Sequence, residues 1–277
     1  MFFASNEAFT RKNWGLAQNA GSVIVDLSYA LEREAGARVR APWLERELES
    51  ALGVPPPAEL EPRLAVVAHP AAVVLALLLL RAQRAGKVTR VVCTAFQPAS
   101  EHGRRGMDEL HQQTVNLLSF HNMPKDVFDS QVAFNLLARY GEKSLPALEM
   151  VEKRIVEHLR HITHGRTGVP ALTLVQAPIF HAHVFSLYIE LEPRVSSGEL
   201  GQALAGEHVT VTGLAEDSPS NINAAGQDSI LVSVRRDAVH ENGFWIWAAA
   251  DNLRIAAITA VDCARALART LPKGTVQ

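Results

Sequence analysis

The sequence predicts an α/β unit followed by an α+β unit, the first on a parallel sheet and the second on a mainly antiparallel sheet with helices on one face. Two observations carry this. Up to Phe96, short apolar strands alternate with helical stretches, the pattern of a parallel sheet. Beyond it, two long amphipathic stretches precede strands that arrive together with short turns between them.

Taken in order, Met1–Ala4 and Val23–Leu27 read as the first two strands, with a helix over Thr10–Ala20 between them. The segment Leu52–Pro62 carries Pro55-Pro56-Pro57, which neither continues a helix nor pairs in a central strand, so it reads as a loop. Ala65–Ala68 is a third strand, Ala71–Ala85 a helix stopped by Gly86, and Val88–Thr94 a fourth strand. Gly106–Phe120 and Pro146–Ile162 are amphipathic helices. Ala171–Val175, His183–Leu191, His208–Thr212, Ser229–Arg235 and Phe244–Ala249 are strands, with the turn Glu241-Asn242-Gly243 before the last. Asp251-Asn252 caps a final helix, Leu253–Leu271. There is no internal repeat and no low-complexity tract.

At 277 residues and 48% hydrophobic content, the chain can bury one large core or two modest ones. A formal charge of -2 with both signs interspersed offers no field for a nucleic-acid backbone. Cys93 and Cys263 lie far apart with no CxxC pairing, which fits a reduced, cytoplasmic compartment and excludes a disulfide scaffold or zinc ribbon. The apolar run Ala71–Leu80 falls short of the roughly 20 residues a bilayer needs, so no membrane partner is expected. No basic region with a long apolar stretch and cleavage site opens the chain, so export is not indicated.

Four motifs carry a resemblance. The run from Phe96 to Leu110 (FQPASEHGRRGMDEL) sets a Gln before a small-residue turn and a Gly-Met-x-Glu-Leu helix start. Val25-Asp26-Leu27-Ser28-Tyr29-Ala30, Ala177-Pro178-Ile179-Phe180-His181-Ala182-His183 and Ala249-Ala250-Asp251-Asn252-Leu253-Arg254 complete the set. In this order and spacing they resemble landmarks of the aspartate-semialdehyde dehydrogenase family. The resemblance implies a partial Rossmann-like nucleotide-binding domain over residues 1–97, joined by the C-terminal helix 252–277, and a dimerisation and substrate domain over 98–251. It implies NADP as the family's cofactor, a homodimer, Gln97 and His183 as counterparts of the catalytic Gln and His, and Ser100, Gly103 and Asn252 as cofactor contacts.

The chain departs from that pattern at the nucleophile. Family members attack an aldehyde with a cysteine at a helix start and pass through a thioester, which requires a thiolate. The matching stretch here is Ala68-His69-Pro70-Ala71-Ala72, which puts Ala72 where the cysteine belongs. Cys93 falls within a strand and Cys263 within the last helix, where buried inert thiols are expected. The arginine that holds the substrate carboxylate falls on Gln176, and the phosphate-binding arginine on Glu32. No Gly-x-Gly occurs, so the turn that cradles a pyrophosphate is missing and NADP binding is in doubt. On the resemblance the sequence starts partway into the family's first domain; a short chain or a start downstream of the true one both account for this.

Other groups have plainer readings. His158, His161 and His164 near a helix end favour the helix dipole, and His181 with His183 would share a strand face. Neither set has a completing ligand, so no metal is expected. Lys153-Arg154 reads as a solvated face, 217–226 as an exposed loop, and the indoles of Trp245 and Trp247 as core or interface packing. A strand histidine kept for a hydrogen bond explains His183 as well as a retained acid/base does, and a helix cap explains Asn252. The leading expectation is a dimeric binding or assembly protein without thioester chemistry. The alternative is an NADP-dependent oxidoreductase with altered chemistry at His183.

Overall fold

Runs of branched and small apolar residues build the first of two sheets. The computed structural model describes residues 1–52, 64–144, 147–213 and 216–269. In it, β1 (Phe2–Phe3), β2 (Ile24–Asp26), β3 (Arg38–Arg40) and β4 (Leu64–Val67) pair in parallel in the order β1-β2-β4-β3. β2 and β4 are buried throughout because both faces are covered. Ile24, Leu64 and Val66 pack with Ala17 of α1 (Glu7–Asn19) on one side, and Val25, Ala65 and Val67 with Ala260, Cys263 and Leu267 of α8 (Asn252–Arg269) on the other. Such strands read as continuous apolar runs. The loop expected at 52–62 falls, apart from its first residue, outside the described residues.

β3 and α2 (Pro42–Leu52) are not legible in the hydrophobic pattern. β3 is three residues long with an arginine at each end, and Arg40 is buried only because Glu45 pairs with it. α2 opens on a proline at a position where no N–H is needed, and its Trp43 Nε1 donates to Thr259 Oγ1 on α8 at 3.0 Å. α3 (Pro70–Ala82) is buried on every side between α2, α5 (Leu148–Ile162), α6 (Ser197–Leu204) and α8, as a helix apolar all round must be. Its one charge, Arg81, is matched by Glu47 and by the carbonyls of Leu204 and Glu207.

The second sheet has the order β6-β5-β7-β10-β9-β8, formed by β5 (Lys87–Gln97), β6 (Ala171–Gln176), β7 (His183–Glu192), β8 (Val209–Val211), β9 (Ile230–Arg236) and β10 (Gly243–Ala250). Its three central pairings are antiparallel, while the outer pairs β5–β6 and β8–β9 are parallel. This corrects the expected grouping: β5, counted with the first unit by a boundary at 97, pairs only within the second sheet. A short helix, α7 (Asn221–Ala224), with a capping box at Ser220, sits in the stretch expected to be all loop.

One face of this sheet, with Leu187, Ile189, Phe244 and Ile246, packs on α3 and α5 in the main core. The other presents rows in register: Val92, Tyr188 and Trp245; Thr94, Ser186 and Trp247; Phe96, Val184 and Ala249. Ala224 of α7 covers the third row, while in the first two Val92 and Trp247 stay 43% and 38% exposed.

A tight 3-10 turn, Ala99–His102, leads from β5 into α4 (Gly103–Leu118). Gly106 in the first turn of α4 has no room for a side chain: a Cβ there would stand 2.5 Å from the carbonyl oxygen of Ala99 and 2.6 Å from His102 Cβ. Gly106→Ala is therefore expected to destabilise the fold by about 1–3 kcal/mol, read as a lower urea midpoint at unchanged m value.

Candidate functional site

A cavity of about 540 Å³ opens where the two sheets meet, bounded by the β1–α1 turn, the turn after β2, the start of α3, the 3-10 turn, α5 and the start of α8. Its floor is organised by Glu101. Glu101 Oε1 lies 3.0 Å from His69 Nε2, and Oε2 lies 3.8 Å from His183 Nε2 and accepts from Asn252 Nδ2 at 3.2 Å. Asn252 in turn accepts from Ser100 Oγ at 3.0 Å. Burial would raise the Glu101 carboxyl, but His69, His183 and His102 outweigh it and hold the group well below the usual carboxylate range. Burial drives His183 the other way, down to about 4, so at neutral pH an ionised Glu101 faces a neutral His183.

Local structure fixes His69. It precedes Pro70 at the N-cap of α3, where its Nδ1 accepts from the backbone N–H of Ala71 at 3.2 Å. The proton is thereby assigned to Nε2, the atom facing Glu101. The His69 backbone N–H donates to His158 Nδ1 at 2.9 Å, which leaves His158 Nε2, 3.3 Å from Glu32, as the protonated nitrogen. Arg154 completes this second group: Nε and Nη2 reach the two oxygens of Glu32 at 3.0 and 3.2 Å, and the guanidinium lies 4.7 Å over the ring of Tyr29. Tyr29 holds a left-handed backbone, φ 62°, and stacks on His69. Thus Arg154 is no part of a solvated face, while Lys153 is. His158 is buried, and His161 and His164 are exposed.

Of the residues expected in a site, Ser100, Gly103 and Asn252 line this cavity together, and Gly103 supplies a left-handed φ of 63° between the 3-10 turn and α4. His183 starts β7 opposite Ala250 and lies behind Glu101, outside the lining. His181 stands before the strand, not on a shared face, because the chain turns at Ala182 with φ 68°. Gln97 is fully buried and lies outside the lining: its amide donates to Tyr140 Oη at 3.0 Å, Tyr140 donates to Gln176 Oε1 at 2.6 Å, and His102, which does line the cavity, has its Nε2 2.8 Å from the same hydroxyl. Gln176 is thus a core amide, its Nε2 donating to the carbonyls of Gln97 and Ala177.

Of the residues that organise the site, sequence reasoning misses Glu101 and His69 and gives Glu32, Arg154 and His158 other roles. Only His69 left a signal, as a cap candidate ahead of Pro70. Glu101, Glu32, Arg154 and His158 meet partners 32 to 151 residues away.

No cysteine lines the cavity among the described residues. Ala72 is buried in the first turn of α3, and burial pushes both Cys93 and Cys263 up to about 12. A pyrophosphate is not accommodated at the start of α1 either. The turn Ala4-Ser5-Asn6 has no glycine, the Asn6 side chain already accepts from the Phe9 N–H, and Glu7 adds a negative charge to the first turn. Among the described residues no group of three or more His, Cys, Asp or Glu is placed to hold a metal ion, and no helix is long and apolar enough to cross a membrane.

A family model described as the semialdehyde dehydrogenase dimerisation domain matches residues 77–255. The chain is similar to a USG-1 protein homolog of Azotobacter vinelandii, 32% identical over 96% of this chain and 78% of that protein. It is 32% identical to the aspartate-semialdehyde dehydrogenase of Rickettsia bellii over 66% of this chain, a match that spans only 55% of that enzyme's length. Among solved structures, a probable aspartate-semialdehyde dehydrogenase from Pseudomonas aeruginosa is 27% identical, covers 97% of this chain and 79% of its own, and superposes with a TM-score of 0.81. The Candida albicans enzyme solved with NADP shares the fold at 13% identity, covering 96% of this chain and 77% of its own, with a TM-score of 0.60.

The buried imidazole of His183 has a measurable consequence. Its pKa is about 4 in the fold against 6.5 when free, so the neutral form is favoured in the folded state. Its contribution is fully present above pH 6.5 and is lost as pH falls from there toward 4. Stability should drop by about 3 kcal/mol across that window, a limb that His183→Gln flattens in urea melts taken at successive pH values.

Proposed function

The chain belongs to the aspartate-semialdehyde dehydrogenase family, and from that premise we propose that it is a member without thioester-forming activity, acting as a dimeric binding or assembly protein. The observation that carries this reading is the start of α3. The helix terminus that would activate a thiol bears the methyl group of Ala72, which offers no lone pair to an aldehyde carbon. Two further features point the same way. Gln176, where the family's pattern places a carboxylate-binding arginine, is tied into the core, and Glu101 stands between His183 and the cavity.

Dimerisation is supported by the open rows of the second sheet, since the matched family model is a dimerisation domain and covers every strand of that sheet. A second copy of the chain would bury Val92, Trp245 and Trp247 against their symmetry mates, in an isologous contact.

The second reading, an NADP-dependent oxidoreductase with altered chemistry at His183, draws on Ser100, Gly103 and Asn252 sharing one cavity wall. NADP, when bound, supplies the hydride chemistry. The two readings part on an NADPH fluorescence titration: saturable quenching supports the oxidoreductase, and a flat titration the binding protein.

Purified protein is expected to show no phosphate-dependent reduction of NADP with aspartate semialdehyde above the buffer rate. Ala72→Cys alone should not create it, because Gln176 still presents a neutral amide; turnover by the unmodified chain would end the proposal. In light scattering the protein should run at twice its 30.2 kDa mass, and Val92→Arg, which sets a charge on the open face, should return it to that mass.

A further inference from the structure

The cavity has an arginine on its wall, and that arginine is already occupied. Arg154 Nε and Nη2 hold the two oxygens of Glu32 in the parallel geometry that a guanidinium offers to any carboxylate or phosphate. His158 Nε2 adds a third donor, 3.3 Å from Glu32 Oε2. Tyr29 backs the guanidinium from one face, so its direction is fixed before any ligand arrives. This donor set is complete for an anion, and the chain itself provides the anion.

We infer that Glu32 is an intramolecular ligand that fills an anion site formed by Arg154 and His158, closing the cavity to phosphate and carboxylate molecules. The inference goes beyond the non-catalytic reading and does not rest on it, since it depends only on these three side chains. Arg154 lines the main cavity, whereas Glu32 lines a second one of about 270 Å³ with Arg38, His161 and His164. The pair therefore stands between the two spaces, where removal of the carboxylate would leave the Arg154 guanidinium and His158 Nε2 without their anion. Burial raises the Glu32 carboxyl, but the bonds from His158 and Arg154 prevail and hold it down to about 2, so protonation does not release it in the neutral range. A tethered carboxylate of this kind prevails over a free anion at ~1 mM.

The test uses the full chain and inorganic phosphate, with malonate in parallel and chloride balancing ionic strength. In the wild type neither anion should raise the melting temperature beyond the chloride control. Glu32→Ala should give a saturable rise with at least one of the two, corresponding to binding roughly tenfold or more tighter, the contribution of one freed charge-assisted bond. Glu7 Oε1 lies 3.8 Å from Arg154 Nη2 and is a substitute partner, so the same titration is run with Glu7→Gln added. Arg154→Leu in the Glu32→Ala background should abolish the response. If Glu32→Ala does not fold, Glu32→Gln, which removes the charge at constant shape, carries the same comparison by phosphorus-31 line broadening. An equal response in wild type and variant, no response to either anion in a folded variant, or a response that survives without Arg154 would overturn the inference.

Discussion

A buried carboxylate must be matched where it sits, and the site is arranged around the matching of Glu101. Its oxygens face His69 and His183 and accept from Asn252, so a single charge joins the N-cap of α3, the 3-10 turn, the start of β7 and the start of α8. These segments come from distant parts of the chain and from both sheets. Removing either histidine or the amide would leave an ion that the interior solvates poorly. The network extends one step further, because the His69 backbone N–H fixes the tautomer of His158, and His158 bonds a half-buried carboxylate, Glu32. Two internal anions and their donors thus form one connected system.

Seen as chemistry, that system is closed. Several of the groups a substrate anion would seek already face partners within the chain: Arg154 holds Glu32, His69 Nε2 faces Glu101, and Ser100 donates to Asn252. On the proposed reading, the methyl group of Ala72 goes together with these pairings. The Arg154 guanidinium in particular is paired with the protein's own carboxylate.

How much of this the sequence reveals depends on the range of the interaction. β2, β4, α3 and the strands of the second sheet are legible because their patterns are local: apolar runs where both faces are covered, alternation where one face is open. β3 and α2 are not, since Arg40 and Glu45 place a buried ion pair in a short segment with little periodicity. The missing cysteine, the amide at Gln176 and the carboxylate at Glu32 are legible as departures from a motif, yet what replaces them is not. That Glu32 meets an arginine 122 residues away, and that Glu101 faces His69 at the exit of the other sheet, depends on tertiary closure that no local pattern encodes. The placement of β5 misleads for a related reason: its sequence alternates with helices like the strands before it, and only its partners show which sheet it joins.

The two sheets are unequal in how they resist opening. The first has edge strands of two and three residues, and its central strands draw their burial from α1 and α8. α3 is the shared element: it leaves the first sheet through His69, is buried on all sides, and ends at Arg81, whose bonds to Glu47 and to the carbonyls of Leu204 and Glu207 span both parts. A helix so enclosed cannot shift without exposing apolar surface along its whole length. The terminus that carries Ala72 and positions His69 is for that reason held rigidly, and the polar network on the cavity floor inherits its geometry from the packing beneath it. The open rows of the second sheet lie on the far side of that packing, so a partner seated there can cover apolar surface without reaching the network, and association and the closed site are physically separate properties of one fold.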